Sequence, residues 1–543
     1  MKRKEKQRMK RFSALFLSLM LICALSMTAF ATEGGGASDN APENTTAATE
    51  GGQTVAASTH SYTAYQIFAG EYDKESGKLS DIKWGKNAQN SEIQGAIAEA
   101  LGLSAGAPLT DILTALGNVG DETDVANKLA AAIASKADKL GTGEPVSDGS
   151  DVEPGYYIVI DTTEKFENGE SRNLALLQCP DGKIKIKAKT GTVTSDKKVM
   201  DTNDSEGYNP AGDALDTSAD YDIGDKVPFE LTGTVAENYD MFKTYKFVFH
   251  DTESKGLTFN NDVSVTIDGT QITSGYKVDT TPEDGDTFEV IFDDLKTIGV
   301  NVGPGSEIKI SYTSTLNKDA VIGAAGNENT MYLEYSNNPY KDETGTTPKK
   351  TVIVFTYKVE VNKVDDKGGA LAGAGFALYK VDNNYKDDNG NIKDDGVLNA
   401  DNSKQNVLNG KTYNKLVARY ETDPAQTKFS FEGIDDGEYL LVETQTPAGY
   451  NSIEPVEFTV TAGHADGALT TLNGNPIAGS VQLTFTPDAG SGTLGTDVVN
   501  KSGSLLPSTG GIGTTMFYII GGVLMVGACM MLFVRKIMTN EKR

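Results

Sequence analysis

The sequence predicts a mainly β protein, with β-sandwiches in tandem preceded by a mixed α+β domain, exported and held at its C-terminal end. Three observations lead there. Beyond Gly191, alternating β-branched and aromatic runs recur at sandwich-like intervals, separated by Gly, Asn and Asp turns, and no helical period interrupts them. Ahead of Gly191, Ala/Leu/Ile stretches at helical spacing stand between strand-like runs. Each end of the chain carries an apolar run flanked by basic residues.

Residues 1–31 read as a signal peptide. "MKRKEKQRMKR" is a basic leader, "FSALFLSLMLICALSMTAF" an apolar stretch, and Ala29-Phe30-Ala31 supplies the small-x-small cleavage pattern. Residues 32–58, rich in Gly, Ala, Thr and Glu without apolar period, form a flexible leader. The first domain spans 59–190. It opens on the alternating "SYTAYQIFAGEY", continues through the helical "SEIQGAIAEALGL" and "VANKLAAAIASKA", and returns to strand at "PGYYIVID". A second domain, 191–350, carries "YKFVFHD", "FEVIF", "IKISYTS" and "TMYLEYS"; a third, 351–502, carries "YKVEVNKVD", "GFALYKV", "EYLLVET" and "VEFTVTA". Residues 503–543 close the chain with an uncharged span over 512–534 and the basic tail "RKIMTNEKR", which places the C-terminus inside and the domains outside.

The formal net charge is −27 although both ends are basic, so the exported stretch is strongly acidic, which disfavours nucleic acid or anionic lipid as a partner. Of three cysteines, Cys23 lies in the signal and Cys529 in the span. Cys179 is left alone, so no internal disulfide is available to an extracellular protein that needs stability.

Between the third domain and the span stands Leu506-Pro507-Ser508-Thr509-Gly510. Motif, span and basic tail in that order resemble the cell-wall sorting signal of Gram-positive surface proteins. The resemblance implies cleavage between Thr509 and Gly510 by a sortase and resolution of the acyl-enzyme by an amine. "GKIKIKAKTGTV" is similar to the pilin motif of sortase-assembled pili, which implies Lys189 as that amine, with Lys187 and Lys183 as rivals; Lys187 and Ala188 replace the motif's Tyr and Pro.

"VEVNKVDDKGGALAGAGFALYK", "GEYLLVETQTPAGY" and "DVVNKSG" resemble the first, acid-bearing and last strands of a collagen-adhesin B-type (SpaA-like) pilin domain, an immunoglobulin-like sandwich. In that family a first-strand lysine bonds to a last-strand asparagine with help from a glutamate, which carries over to Lys363, Asn500 and Glu443. Alternation agrees, since Lys363 shares a face with Val361 and Glu443 with Leu441. Burial of that lysine lowers its pKa toward a neutral nucleophile, and a buried, protonated Glu443 can relay protons as ammonia leaves. "TVTSDKKVMDTND", "YKFVFHDTESKGLTF" and "NTMYLEYSNNP" resemble the fimbrial isopeptide-forming middle domain, which implies Lys197, Asp251 as acid and Asn337 as acceptor; Lys198 and Asn338 are one residue away.

The resemblance as a whole implies a shaft subunit of a covalent pilus that works with pilus and housekeeping sortases, further copies of itself, minor pilins, peptidoglycan and a host ligand. The alternative is a monomeric, wall-anchored adhesin of the same domains. An enzyme is disfavoured, because the one catalytic constellation is spent on its own chain. No cofactor is expected. "DVSVT" sits in an all-β stretch unsuited to an adhesion metal site, and "DNNYKDDNGNIKDD" departs from an EF-hand at its first and twelfth positions. His60, His250 and His464 are far apart in sequence, so neither a metal centre nor a triad is expected.

Overall fold

A computed structural model of the chain describes residues 60–503, apart from 76–77, 119–122, 167, 173, 180, 187–190, 203–213, 397–403, 422 and 478–482, together with 524–525 and 530–531. The signal peptide, the leader, Lys189 and the Leu506 to Gly510 motif lie outside the described residues, as does nearly all of the apolar span. No helix among the described residues is long and apolar enough to cross a membrane. The chain divides into two compact units, one built mainly from residues up to Thr356 and one mainly from Tyr357 onward.

The first unit begins with β1 (Tyr62–Asp73) and β2 (Lys78–Trp84), then α1 (Ser91–Ala100), α2 (Leu109–Asn118) and α3 (Thr123–Ala134), then β3 (Gly155–Asp161) and β4 (Leu174–Cys179). These strands run in the order β2-β1-β3-β4. Helix α1 starts where Asn90 caps it by accepting a hydrogen bond from the Ile93 N–H. Its inward residues Ile93 and Ile97 join Ile112, Ile133, Phe68 and Ile158 in one core, so the helical insertion is packed on the sheet. Cys179 is buried and burial pushes its thiol up to about 12, which suits a small apolar filler.

The same unit continues as a sandwich. Its long strands are β5 (Thr194–Asp201), β6 (Lys226–Thr234), β7 (Phe247–Glu253), β8 (Phe288–Phe292), β9 (Glu307–Leu316), β10 (Asn327–Ser336) and β11 (Lys350–Phe355). One sheet sets β9, β6 and β5 side by side; the other runs β11-β10-β7-β8. Strands β6, β9 and β10 alternate inward and outward along their length, the signature of sheets buried on one face. Phe229, Leu231, Phe247, Phe249, Ile310 and Leu333 fill the space between the sheets.

The second unit holds β12 (Tyr357–Asp365), β13 (Gly375–Lys380), β14 (Lys428–Ile434), β15 (Gly437–Gln445), β16 (Val456–Ala465) and β17 (Thr493–Asn500). One sheet orders β14-β12-β17, the other centres on β13-β15-β16. First strand β12 and last strand β17 are direct neighbours and run parallel, with Lys363 beside Val498 and Asp365 beside Asn500. Only a chain that has wrapped fully around the sandwich can pair its ends this way. The Asp387 turn lies in an exposed loop and spends its carboxylate on the N–H groups of Asn389 and Asn391.

Candidate functional site: two buried lysine, acid and asparagine clusters

In the second unit, Lys363 of β12 points inward and is fully buried. Its Nζ donates to the Val498 carbonyl at 2.8 Å. From the opposite sheet, Glu443 of β15 accepts a 2.7 Å hydrogen bond from Nδ2 of the fully buried Asn500. The other Glu443 oxygen accepts from the Ile453 N–H at 3.0 Å, which holds the carboxyl facing the asparagine. Among the described residues Asn500 Oδ1 has no hydrogen-bond partner. An unpaired buried carbonyl is costly to keep.

Burial lowers the Lys363 ammonium to about 8, with the nearby Glu443 opposing that shift. Were the neutral amine to act as a nucleophile, the sign would follow: below pH 8 most of the lysine is protonated and would be inert. Chains recovered unfolded from inclusion bodies and refolded at a series of pH values are expected to close a Lys363–Asn500 bond about tenfold faster per pH unit up to about 8, then level off. Time-resolved intact mass checks this; a rate that falls with rising pH would contradict it.

In the first unit, Lys197 of β5 is buried beside Val199, whereas Lys198 faces the other way and is half-buried. Lys197 Nζ lies 2.5 Å from Asp251 Oδ2, both side chains wholly inaccessible. Tyr312 of β9 closes the group: its hydroxyl accepts from Lys197 at 3.0 Å and donates to Asp251 at 3.0 Å. Burial drives Lys197 down and Asp251 up, so both shifts favour the uncharged amine and acid over the ion pair, against their mutual attraction. Phe229 lies under the lysine and stacks on Tyr312, keeping water out.

The asparagine expected here is not where the sequence placed it. Met331 is the residue of β10 opposite Asp251, and Asn337 lies six residues further along, about 20 Å away at the usual strand rise. Asn337 instead serves the edge of the domain, its carbonyl accepting from the Arg172 N–H and its own N–H bonding to Glu343. Asn338 binds the Glu343 carboxylate and shapes the same turn. The residue that does reach the cluster is Asn329, fully buried, whose Nδ2 donates to the Tyr312 hydroxyl at 2.9 Å. Its Oδ1 has no partner, as with Asn500.

Glu253, two residues on from Asp251 and on the same face, lies 3.5 Å from the Asn329 amide; burial raises its carboxyl to about 7. Sequence reasoning missed Asn329, Tyr312 and Glu253. The signal was present, because Asn329 opens the quoted "NTMYLEYSNNP" and has the same parity as Asn337.

The approach to the pilin-like lysine is partly visible. Ile184 and Ile186 pack inward, while Lys183 turns out to the Asp151 carboxylate; Lys189 itself lies beyond the described residues.

Each sandwich interior therefore holds a buried lysine, a carboxyl group and an asparagine near one another, in a modular protein that is mainly β. Residues 223–339 match the Gram-positive pilin backbone subunit 2, Cna-B-like domain, and residues 357–475 match the SpaA prealbumin-like fold domain. Two segments of the chain, one in each unit, are thus similar to domains of Gram-positive surface pilins.

It is 27% identical over 335 residues to the trypsin-resistant surface T6 protein of Streptococcus pyogenes serotype M6, across 51% of this chain and 58% of that protein. Among solved structures it is similar to the T6 backbone pilin of serotype M6 Streptococcus pyogenes, with 19% identity, 82% of this chain and 96% of that one covered, and a TM-score of 0.49. It is also similar to the major pilin SpaD of Corynebacterium diphtheriae, with 15% identity, coverage of 82% and 93%, and a TM-score of 0.41.

Proposed function

We propose that this protein is the shaft subunit of a sortase-assembled pilus, joined head to tail and hardened by two internal Lys–Asn bonds. The observation that carries the reading is that buried Lys363, hydrogen-bonded to the Val498 carbonyl two residues before Asn500, lies beside the Glu443–Asn500 hydrogen bond inside one sandwich, in a domain that matches the SpaA prealbumin-like fold domain.

The chemistry balances without any outside reagent. Neutral Lys363 Nζ attacks Asn500 Cγ, a C–N bond forms, and Nδ2 departs as ammonia. Glu443, already hydrogen-bonded to Nδ2, passes a proton to the leaving nitrogen and recovers one from the lysine. The product is a neutral amide, so a buried amine and a buried primary amide with an orphaned oxygen are replaced by a group that is cheaper to bury. The middle sandwich supports a second bond, Lys197 to Asn329, with Asp251 as the acid.

A bond between β12 and β17 joins the first and last strands of the domain, and a bond between β5 and β10 joins its two sheets. Tension entering one end of a sandwich would then pass through covalent links. Such bonds suit a shaft that bears load and has no disulfide.

Assembly follows from the sorting signal: the Thr509 acyl group of one copy is transferred to Lys189 of the next, a heterologous contact that propagates as a fibre. Co-expression with a pilus sortase is expected to give an SDS-resistant ladder that Lys189→Arg abolishes while the monomer stays folded. A ladder that persists in this variant and disappears with Lys187→Arg or Lys183→Arg would move the linkage site. Absence of any ladder with an active sortase would favour a monomeric adhesin.

A further inference from the structure

Outside these clusters, the first unit gathers one histidine and three carboxylates on the outer face of the sheet opposite Asp251. His250 lies on β7 between Glu289 of β8 and Tyr332 of β10. Asp284 Oδ2, Asp286 Oδ2 and Glu289 Oε1 stand 3.3, 3.0 and 3.1 Å from the single atom His250 Nδ1. The four ligand atoms all lie within 4.8 Å of one another. One proton on Nδ1 cannot satisfy three carboxylates, and a single imidazolium charge offsets only one of them, so the group is left with uncompensated negative charge that a divalent ion would neutralise.

The rest of the imidazole is arranged as a metal ligand requires. The ring is nearly inaccessible, with 8% of the side chain exposed, and is stacked on Tyr332 at 4.4 Å between centroids, which fixes its plane. Its far nitrogen, Nε2, has no hydrogen-bond partner but faces the Glu334 carboxylate at 3.7 Å, and Glu334 is held by Lys246 at 2.7 Å. A carboxylate behind the far nitrogen favours the tautomer that leaves Nδ1 free to ligate. Thr252 donates to the other Asp286 oxygen, Oδ1, so that ligand is also oriented from behind. Ligands at about 2.0–2.2 Å from a zinc-sized ion would be separated by roughly 3.0–3.6 Å, the spacing present around Nδ1.

We propose that His250, Asp284, Asp286 and Glu289 form a binding site for one divalent transition-metal ion of the zinc or manganese type. The nitrogen ligand and tight spacing disfavour calcium, which takes six to eight oxygens at longer distances. Such an ion would pin the loop that enters β8 onto β7. Because His250 and Asp251 point to opposite faces of the strand, the site is separate from the cross-linking cluster.

The mature full-length chain, stripped with EDTA, is to be titrated calorimetrically with zinc, manganese and calcium chlorides, and its Tm recorded with and without each metal. One zinc or manganese ion per chain is expected, with a rise in Tm. His250→Asn should abolish the binding, and Glu289→Gln should weaken it at least tenfold. Intact mass should show the variants losing the same number of ammonia molecules as the wild type, which establishes that the sandwich has folded. No stoichiometric zinc or manganese binding, binding of calcium alone, or undiminished binding in folded Glu289→Gln and His250→Asn would each overturn the proposal.

Discussion

Intact mass of the exported chain is expected to fall two ammonia molecules below the mass of its sequence. Asn329→Ala should restore one and Asn337→Ala none, because only Asn329 reaches the Lys197, Asp251 and Tyr312 cluster. Asn500→Ala and Glu443→Ala should each restore the other, since the first removes the acceptor and the second the only carboxyl hydrogen-bonded to it among the described residues. Asp251→Ala tests the middle acid, and if Glu253 can replace it, closure should slow without stopping. Tandem mass spectrometry of a tryptic digest should recover branched peptides joining Lys197 to Asn329 and Lys363 to Asn500. An unshortened mass would eliminate both bonds; a shortened mass in Asn329→Ala that reverts only in Asn337→Ala would eliminate the reassigned acceptor.

The second large effect is on stability. A bond from Lys363 to Asn500 closes a loop of on the order of a hundred residues; by analogy with a disulfide of that loop length it contributes about 4–5 kcal/mol, chiefly by constraining the unfolded chain. For a domain of this size that corresponds to a fall of roughly 10–20 °C in Tm when the bond is prevented. Glu443→Gln is the informative variant, because it retains shape and can still hydrogen-bond Asn500 while losing the proton relay. Calorimetry should show its C-terminal transition shifted down by that amount, and trypsin should cut it at temperatures the wild type survives. An equal Tm for wild type and Glu443→Gln, with the bond absent only in the variant, would show that the cross-link adds no thermal stability.

Much of this was legible in the residues alone, for reasons that can be named. Period-2 alternation is set by the strand backbone itself, so the inward direction of Lys363 beside Val361, and of Lys197 with Val199, followed without any knowledge of neighbours. The helices of the first domain announced themselves by the helical spacing of their Ala, Leu and Ile residues. Glu443 and Asn500, singled out from motif positions on the acid-bearing and last strands, are hydrogen-bonded to each other, and Lys363 of the first strand lies beside Val498.

Alternation says which face a side chain takes and nothing about how far along a neighbouring strand its partner lies. Asn327, Asn329 and Asn337 all share one parity on or just after β10, and all three are buried. What brings Asn329 to the cluster is register: Asp251 pairs with Met331, and β9 brings Tyr312 across from the other sheet. Register depends on hydrogen bonds between segments some eighty residues apart, so a local reading could not reach it. The same is true of His250, which is isolated in sequence and gains Glu289 as a partner only because β7 and β8 pair, and Asp284 and Asp286 only because the loop folds back. Periodicity is a property of one strand, whereas a site is a property of several, and it exists only once long-range pairing has set their relative heights.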